Sequence, residues 1–493
     1  MSRFIKLAIL NVFIFCSLVG NNLQAQKSSV IDDPAVISSL KFLSAWIEAR
    51  MVNDGWPGLS VGIVYDQDLL WSRGYGYADV DARTPVDENT LFAIASNTKM
   101  FTAVAILKLR DDGKLQLDDP LEKYLPWFKH IQNPFPNPEP ITIRDVLTHS
   151  SGLPVQAASV NWTDLYLPSL EEIITELPEQ SVSWPSNIRW KYSNLGASLL
   201  GAVVATVAGI TYEDYVTSNI LTPLGMSSTS YAPNGKLAEH MAIGYGRRMP
   251  DGGRNKMPIC DLRGYVSAGG LWSSVMDLAR FASWQFRLGN KGDHEIVRAG
   301  TLRDMQRVHW LDSSWAFGWG LGFLIYHKEP CDLVGHGGSL PGYSTDFTVS
   351  PTEKIGVIVL TNGADMKVYP DQANSISDRI FTWVIPALRN TLTGTHTNEI
   401  DPMLQKYEGK YRDWGGDVVI LNMVGGLIMI DPVDPIDPDN SSKLVRIERN
   451  VFQVETSDGY AAPGETFVFE ENERGEIVRY KCSGRVMERV ANW

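Results

Sequence analysis

The strand-like segments of this chain fall into two groups far apart in sequence, and this separation limits the folds that it can adopt. Residues 58–79 show two strand patterns around turn residues 66–68, which predicts a β-hairpin. Further strand-like runs follow residue 318, at 320–327, 331–336, 343–350 and 354–361. Helical and loop-rich sequence lies between the groups, after a first amphipathic helix predicted at 36–52. We therefore predict one sheet assembled from distant segments.

The C-terminal part of the chain has a different pattern. Residues 390–403 are polar and turn-rich, which indicates a linker. From residue 404 to 493, short apolar runs alternate with turns, a pattern typical of a small all-β barrel or sandwich. We predict a domain at 27–389 and a small domain at 404–493. A role for the small domain as a lid or dimer contact is favoured over a separate ligand pocket.

Ser96 and Lys99 form a Ser-x-x-Lys pattern at the start of an apolar, helix-periodic run. Positions i and i+3 share one face of a helix, so the Lys99 amine can reach the Ser96 hydroxyl. The N–H groups at a helix N-terminus favour a developing oxyanion, and burial lowers the pKa of a lysine. These conditions activate a serine nucleophile. The alternative interpretation is an N-cap serine beside a solvated lysine.

The same spacing occurs a second time, because Ser38 and Lys41 repeat it within an ordinary amphipathic run. Two later motifs favour the Ser96 copy. Tyr-x-Asn at 192–194 lies where an irregular stretch meets a helix, and His-Gly-Gly-Ser at 336–339 lies between strand-like runs. Together, these motifs resemble the ordered set of the serine β-lactamase and penicillin-binding protein superfamily. Tyr-x-Asn is similar to the class C branch and its related esterases and D-aminopeptidases.

The resemblance covers about residues 36–390 and implies an α+β fold. In that fold an antiparallel sheet flanked by helices carries an inserted helical lobe, and the active site lies in the groove between them. The C-terminal stretch resembles the lipocalin-like appendage that often follows this catalytic domain. The implied activity is that of a serine hydrolase that forms a covalent acyl-enzyme with an ester, amide or D-amino-acid peptide substrate.

The resemblance also implies catalytic roles. Ser96 is the expected nucleophile, and Lys99 with Tyr192 forms the base system. A free lysine and a free tyrosine both have pKa values of about 10, so each must be shifted to serve as a base at neutral pH. The sequence leaves open which of the two accepts the proton. Asn194 is expected to orient Lys99 and to bind a substrate carbonyl.

The third motif implies the substrate-binding residues. The backbone N–H groups of Ser96 and Ser339 would form an oxyanion hole, and Gly338 would let the strand approach the substrate closely. His336 replaces the lysine that β-lactamases usually carry. An unperturbed histidine has a pKa of about 6.5, so it is mostly neutral above pH 7. We therefore expect His336 to disfavour carboxylate-bearing β-lactams, unless an arginine such as Arg263 supplies the missing charge.

Other residues near these motifs receive lesser roles. His149, in a Thr-His-Ser-Ser-Gly turn, is predicted to hold that turn and to take no part in catalysis. A group of aromatic side chains could line a subsite, although core packing is favoured for most of them. This group comprises Trp310, Trp315, Phe317 and Trp319.

Two other functions remain open. The chain could be a true β-lactamase or a D-Ala-D-Ala carboxypeptidase. It could also be a non-catalytic relative that binds or senses cell-wall peptides. Such a protein would be expected to lose the lysine or the tyrosine first, and this chain retains Ser96, Lys99, Tyr192 and Asn194.

Composition narrows the partners. The formal net charge is −13 with no long basic run, which argues against nucleic acid binding. The sequence contains no His-Glu-x-x-His, Cys-x-x-Cys or acidic calcium-loop motif, so we predict neither a metal nor a cofactor. The expected partner is a small-molecule or peptide substrate. The oligomeric state is not indicated.

The N-terminus has the pattern of a signal peptide at 1–25. Arg3 and Lys6 precede an apolar segment at 7–20, and Leu-Gln-Ala before Gln26 fits a cleavage site. We expect a periplasmic or secreted protein with no stable membrane span after cleavage. Cys16 is interpreted as part of the apolar segment. An odd number of widely spaced cysteines remains, which does not form a disulfide framework: Cys260, Cys331 and Cys482.

Overall fold

The computed structural model describes residues 30–291, 294–328, 330–363, 372–394, 399–432, 441–456 and 463–491. These residues divide into two compact units. The large unit is drawn from Gly55–Ser377, and the small unit from Met1–Asp54 and Asp378–Trp493. The predicted signal peptide at 1–25 and its cleavage site lie outside the described residues.

A nine-stranded sheet forms the framework of the large unit, in the order β10-β11-β12-β13-β14-β15-β1-β2-β3. Every neighbouring pair in it is antiparallel. The strands are β1 Gly58–Tyr65, β2 Asp68–Asp79, β3 Thr84–Pro85, β10 Trp310–Leu311, β11 Gly318–Trp319, β12 Leu324–Lys328, β13 Cys331–Leu340, β14 Tyr343–Ser350 and β15 Ile355–Thr361. Paired two-residue to four-residue strands lie outside this sheet: β4 Phe92–Ala93 with β7 Trp272–Ser273, β5 Tyr245–Arg248 with β6 Arg254–Lys256, and β8 His294–Glu295 with β9 Val297–Arg298.

The central strands are buried on both faces, which explains why β1 and β15 are largely apolar in sequence. All seven residues of β15 and all eight of β14 are buried. The helix at Val275–Lys291 covers β1 so closely that a Cβ on Gly62 would lie 2.4 Å from the Val275 side chain. Strands 58–79 and 310–361 therefore join in one sheet, as the sequence predicts.

In the described residues, α-helices occur in both units. They are α1 Pro34–Asp54, α2 Thr98–Asp111, α3 Leu121–Tyr124, α4 Ile143–Leu147, α5 Leu170–Glu176, α6 Asn194–Ala208, α7 Tyr212–Val216, α8 Val266–Gly269, α9 Val275–Lys291, α10 Ala299–Met305, α11 Gln372–Arg379 and α12 Ile385–Leu392. Helices α2, α6 and α8 contact one another in the helical part of the large unit.

For two of these helices, local sequence features explain why the helix is stable or where it begins and ends. Helix α2 contains strong helix formers and places Lys108 and Arg110 in its last turn, where they interact favourably with the helix dipole. Helix α6 begins after Ser193, whose side chain accepts a hydrogen bond from the N–H of Gly196. It ends at Gly209, whose φ of +72° favours glycine.

The small unit contains a closed eight-stranded barrel in which neighbouring strands are antiparallel. Its strands are β16 Gly409–Asp413, β17 Gly416–Met423, β18 Gly426–Ile430, β19 Ser442–Glu448, β20 Val451–Thr456, β21 Thr466–Glu471, β22 Ile477–Cys482 and β23 Arg485–Arg489. Buried aromatic side chains pack together in its core: Tyr407, Tyr411, Phe452, Phe467, Phe469 and Tyr480. A small barrel is filled by side chains in this way, which favours the structural role over a ligand pocket.

Helix α1 belongs to the same unit as the barrel, and it contains the second Ser-x-x-Lys copy. Ser38 Oγ accepts a hydrogen bond of 3.0 Å from the N–H of Val424, and Lys41 forms a 2.9 Å ion pair with Glu408. Both side chains therefore hold the helix against the barrel. They bind these partners and do not form a serine–lysine pair in the described structure.

The α+β fold with an antiparallel sheet and a small C-terminal β-barrel is thus confirmed. The domain boundaries at 27–389, 390–403 and 404–493 stay predictions. Within the described part of the chain, no single helix is long and apolar enough to cross a membrane, and Asn194–Ala208 with Tyr212–Leu221 passes that test only as a pair bent by 76°.

Candidate active site

Ser96 lies in a short 3-10 turn immediately before α2, and not within the α-helix itself. Ala95 has a φ of +49°, a left-handed conformation that is costly for a residue with a side chain. Two hydrogen bonds hold the turn on the sheet: Asn97 Nδ2 donates to Thr345 Oγ1 at 2.9 Å, and Thr345 Oγ1 donates to the carbonyl of Ile94 at 3.1 Å. Strand β14 therefore maintains the strained turn that presents Ser96.

Lys99 is the second residue of α2 and is only 4% exposed. Its Nζ lies 3.1 Å from Ser96 Oγ and donates a 2.7 Å hydrogen bond to the carbonyl of Ala268. No carboxylate pairs with this amine among the described residues, so its charged form has little compensation for lost water. Burial therefore lowers the pKa of Lys99 to about 7.

Tyr192 approaches the same hydroxyl from the end of the loop before α6. Its Oη donates a 3.1 Å hydrogen bond to Ser96 Oγ, and Lys99 Nζ lies 5.0 Å from the centre of its ring. Desolvation raises the pKa of Tyr192 well above its ordinary value, and the hydrogen bond with Ser96 opposes this only in part. The phenol therefore keeps its proton at neutral pH, while the neighbouring amine can lose one.

Strand β13 provides the wall of the site opposite the helices. It pairs with β14 from Val334 to Leu340, whereas β12 pairs only with Cys331–Gly335. On that side, residues 336–340 have no strand partner in the described part of the chain. A Cβ on Gly338 would lie 2.3 Å from the carbonyl oxygen of Ile94. Only a glycine there lets β13, and the following Ser339, lie directly beside the Ser96 turn.

His336 lies beside the reactive side chains, with its ring centre 6.3 Å from that of Tyr192 and 5.5 Å from that of Trp319. It is 6% exposed, and burial together with the nearby Lys99 lowers the pKa of His336 to about 3. Its Nδ1–H donates to the carbonyl of Gly337, because a carbonyl oxygen can only accept. The other ring nitrogen, Nε2, is therefore an acceptor, and it has no hydrogen-bond partner among the described residues. The lowered pKa favours the neutral ring near neutral pH, in place of the titration near pH 6.5 of an unperturbed histidine.

Asn194 and Arg263 do not make the contacts that the sequence suggested. Asn194 is the first residue of α6, where its N–H donates to the carbonyl of Val155 at 2.8 Å. In the described part of the chain it makes no hydrogen bond to Lys99, whose position the Ala268 carbonyl holds instead. Arg263 donates to Glu172 and is thereby engaged in an ion pair.

An aromatic cluster surrounds Tyr192, and only part of it was predicted. Trp319 lies 5.5 Å from His336 and 6.2 Å from Tyr192, measured between ring centres. Trp190, which sequence reasoning missed, lies 5.6 Å from Trp319 and 5.2 Å from Phe317. Its position two residues before Tyr192 on the same loop was the only available signal. Trp315 is 81% exposed and makes no contribution to this cluster.

The comparisons with known proteins agree with this fold. The family model described as Beta-lactamase matches residues 43–377. Protein flp of Staphylococcus aureus strain MRSA252 is 29% identical over 308 residues, which is 62% of this chain and 59% of that protein. This chain therefore matches only 59% of the length of that relative.

Solved structures show the same fold. The octameric penicillin-binding protein homologue from Pyrococcus abyssi superposes with a TM-score of 0.60 and 26% identity, covering 91% of this chain and all (100%) of that one. A class C β-lactamase from Rhodobacter sphaeroides has a TM-score of 0.57 and 20% identity over 71% of this chain and 99% of that one. The chain belongs to the β-lactamase family of serine hydrolases.

We predict that Gly338→Ala separates β13 from the Ser96 turn. Its Cβ would meet two atoms that cannot move freely, the Ile94 carbonyl at 2.3 Å and Thr345 Oγ1 at 2.4 Å. Overpacking of this kind costs about 1–3 kcal/mol of unfolding free energy, which urea denaturation measures. Gly337→Ala is the matched control, because its Cβ would meet the Asn374 side chain at an ordinary 3.4 Å. Equal stability of the two variants would contradict the close approach.

Proposed function

We propose that this protein hydrolyses an ester, an amide or a D-amino-acid peptide through a covalent acyl-enzyme on Ser96. The observation that carries the proposal is the position of the Ser96 hydroxyl, 3.1 Å from Lys99 Nζ and 3.1 Å from Tyr192 Oη. A hydroxyl becomes a useful nucleophile when a neighbouring group can accept its proton as it attacks. Both neighbours are polar groups whose pKa values are shifted in opposite directions.

These opposite shifts support an assignment of the two roles that the sequence left open. Lys99, with a pKa of about 7, is the general base, because a neutral amine is available near neutral pH. One of its N–H bonds is held by Ala268, and its lone pair accepts the Ser96 proton. Tyr192 stays protonated and acts as a hydrogen-bond donor and proton relay.

In the proposed acylation, the attack of Ser96 and the departure of the leaving group are two successive steps. Ser96 Oγ forms a bond to the substrate carbonyl carbon while its proton passes to Lys99 Nζ. The carbonyl oxygen becomes an oxyanion, for which the N–H groups of Ser96 and Ser339 are the expected donors. The bond to the leaving group breaks as Tyr192 donates its proton to that group and receives another from Lys99. Water then hydrolyses the acyl-enzyme by the same steps in reverse order.

Two features support a substrate that is uncharged near β13. His336 stays neutral and offers no cation where a lysine would attract a carboxylate, and Arg263 is engaged with Glu172. The unpaired side of residues 336–340 offers backbone groups to an extended amide substrate. The β-lactamase and carboxypeptidase alternatives are less favoured because their substrates carry a carboxylate, for which neither His336 nor Arg263 offers a free cation. The non-catalytic alternative is less favoured because Ser96, Lys99 and Tyr192 form a complete reactive group.

We predict that a fluorophosphonate probe labels Ser96, because the probe reacts with activated serine hydroxyls. Mass spectrometry should locate the adduct on Ser96 in the wild-type protein, and Ser96→Ala should abolish it. Ser38→Ala is the matched control, since Ser38 shares the motif but its hydroxyl accepts a hydrogen bond from the N–H of Val424. Labelling that persists in Ser96→Ala would contradict the proposal. A labelled penicillin, tested in parallel, reports whether a carboxylate-bearing substrate also acylates Ser96.

We predict that kcat/KM for a neutral ester rises with pH and levels off above pH 7. Below the Lys99 pKa of about 7 the amine is protonated and cannot accept the Ser96 proton. The rate should therefore fall about tenfold per pH unit well below that value. If Tyr192 were the base, the rate would instead keep rising up to pH 10 and beyond, because the ordinary pKa of a tyrosine is about 10. A pH–rate profile between 5 and 11 separates the two assignments.

We further propose that the protein is exported and that the mature chain begins near Gln26. Arg3, Lys6 and the apolar segment at 7–20 support this proposal. N-terminal sequencing of protein from the native host should find Gln26 or a close neighbour. An intact Met1, or a lipidated Cys16, would reject cleavage at this site.

A further inference from the structure

We propose that His149 is a positioning residue that holds Tyr192 against Ser96. The inference rests on the acyl-enzyme function proposed above. It goes beyond the predicted role of His149, which was only to hold its own turn. His149 follows α4 in a turn and is 4% exposed, so it is not a surface residue.

His149 makes a hydrogen bond on each side of Tyr192. The N–H of Lys191 donates to the carbonyl of His149 at 2.7 Å, and the N–H of Ser193 donates to His149 Nδ1 at 3.2 Å. One residue therefore holds the backbone both immediately before and immediately after Tyr192. Because a side chain moves with its Cα, these two bonds limit where the phenol can reach.

The imidazole also packs against the tyrosine itself. The ring centres of His149 and Tyr192 are 4.5 Å apart, and the planes are tilted by 41°. The imidazole also meets Trp319, with ring centres 4.8 Å apart, and Trp319 Nε1 donates to the carbonyl of Leu147 at 3.1 Å. Tyr192 contacts Trp319 as well, at 6.2 Å between ring centres, so the three rings pack against one another.

The hydrogen-bond pattern defines the protonation state of this support. Nδ1 accepts the Ser193 N–H, so a neutral ring must carry its proton on Nε2. Burial, with smaller contributions from Lys99 and His336, keeps the pKa of His149 well below its ordinary value. His149 is therefore an uncharged acceptor that adds no positive charge beside the amine of Lys99.

The backbone of His149 restricts which residues can replace it. Its φ is +55°, in the left-handed region that glycine and asparagine tolerate best. Asparagine also offers Oδ1 at the same number of bonds from Cα as histidine Nδ1. Glycine accommodates the same φ but has no acceptor. Asparagine and glycine thus form a matched pair that differs in the acceptor at nearly equal backbone strain.

The test compares His149→Gly and His149→Asn in the full chain. For a neutral ester, kcat of His149→Gly should fall about 10²-fold, within the range for a displaced acid–base group. KM should change little, because buried His149 does not touch the substrate. His149→Asn should recover most of kcat, since its Oδ1 can accept the Ser193 N–H. A purely structural role would lower the amount of folded protein without this rescue.

A second background tests whether His149 acts through Tyr192. In Tyr192→Phe the hydroxyl is already absent, so adding His149→Gly should cause no further loss of kcat. A full additional loss in that background would overturn the proposal. Wild-type kcat in His149→Gly would overturn it as well.

A measurement on the wild-type protein covers the case in which the glycine variant does not fold. Nitrogen NMR with labelled histidine should show His149 neutral, with its proton on Nε2. A proton on Nδ1, or a cationic ring, would overturn the proposal. Fluorophosphonate labelling of Ser96 separates the two levels: a wild-type protein that is not labelled rejects the proposed function, whereas the His149 outcomes reject only the positioning role.

Discussion

The proposed chemistry of this protein depends on one desolvated amine. Lys99 is buried at the start of α2 with a serine hydroxyl and a backbone carbonyl as its hydrogen-bond partners, and no carboxylate of the described residues stabilises its charge. An uncompensated buried cation is costly, so the equilibrium moves toward the neutral amine. A carboxylate beside Lys99 would stabilise its ammonium form and remove the base. The hydrogen-bond partners of Lys99, the Ser96 hydroxyl and the Ala268 carbonyl, are thus uncharged groups.

The surroundings of the site follow this constraint. His336 and His149 are both buried next to Lys99, and both pKa values lie below the ordinary range, so neither ring competes with Lys99 for a proton near neutral pH. Tyr192 likewise holds its proton. The site therefore has three neutral polar groups around one amine of intermediate pKa, and a proton can move between Lys99 and Ser96 without a rival acceptor.

The backbone of the site is held by the sheet and by the loop before α6. Thr345 on β14 fastens the strained Ala95 conformation, and Gly338 allows β13 to lie against the same turn. From the other side, Tyr192 is delivered by a loop that is bonded to the turn at His149. Strain at Ala95 is tolerated because the surrounding hydrogen bonds determine the conformation of the turn.

The sequence by itself determined the sheet from distant segments, the C-terminal barrel, and the grouping of Ser96, Lys99 and Tyr192. Strand-like apolar runs and ordered motifs depend on local residue types, which a sequence displays directly. Only the tertiary structure decided that Ala268 holds the amine, that Trp190 joins the aromatic cluster, and that His336 is too buried to titrate near pH 6.5. Those properties depend on which distant atoms exclude water from a group, and desolvation has no local sequence pattern.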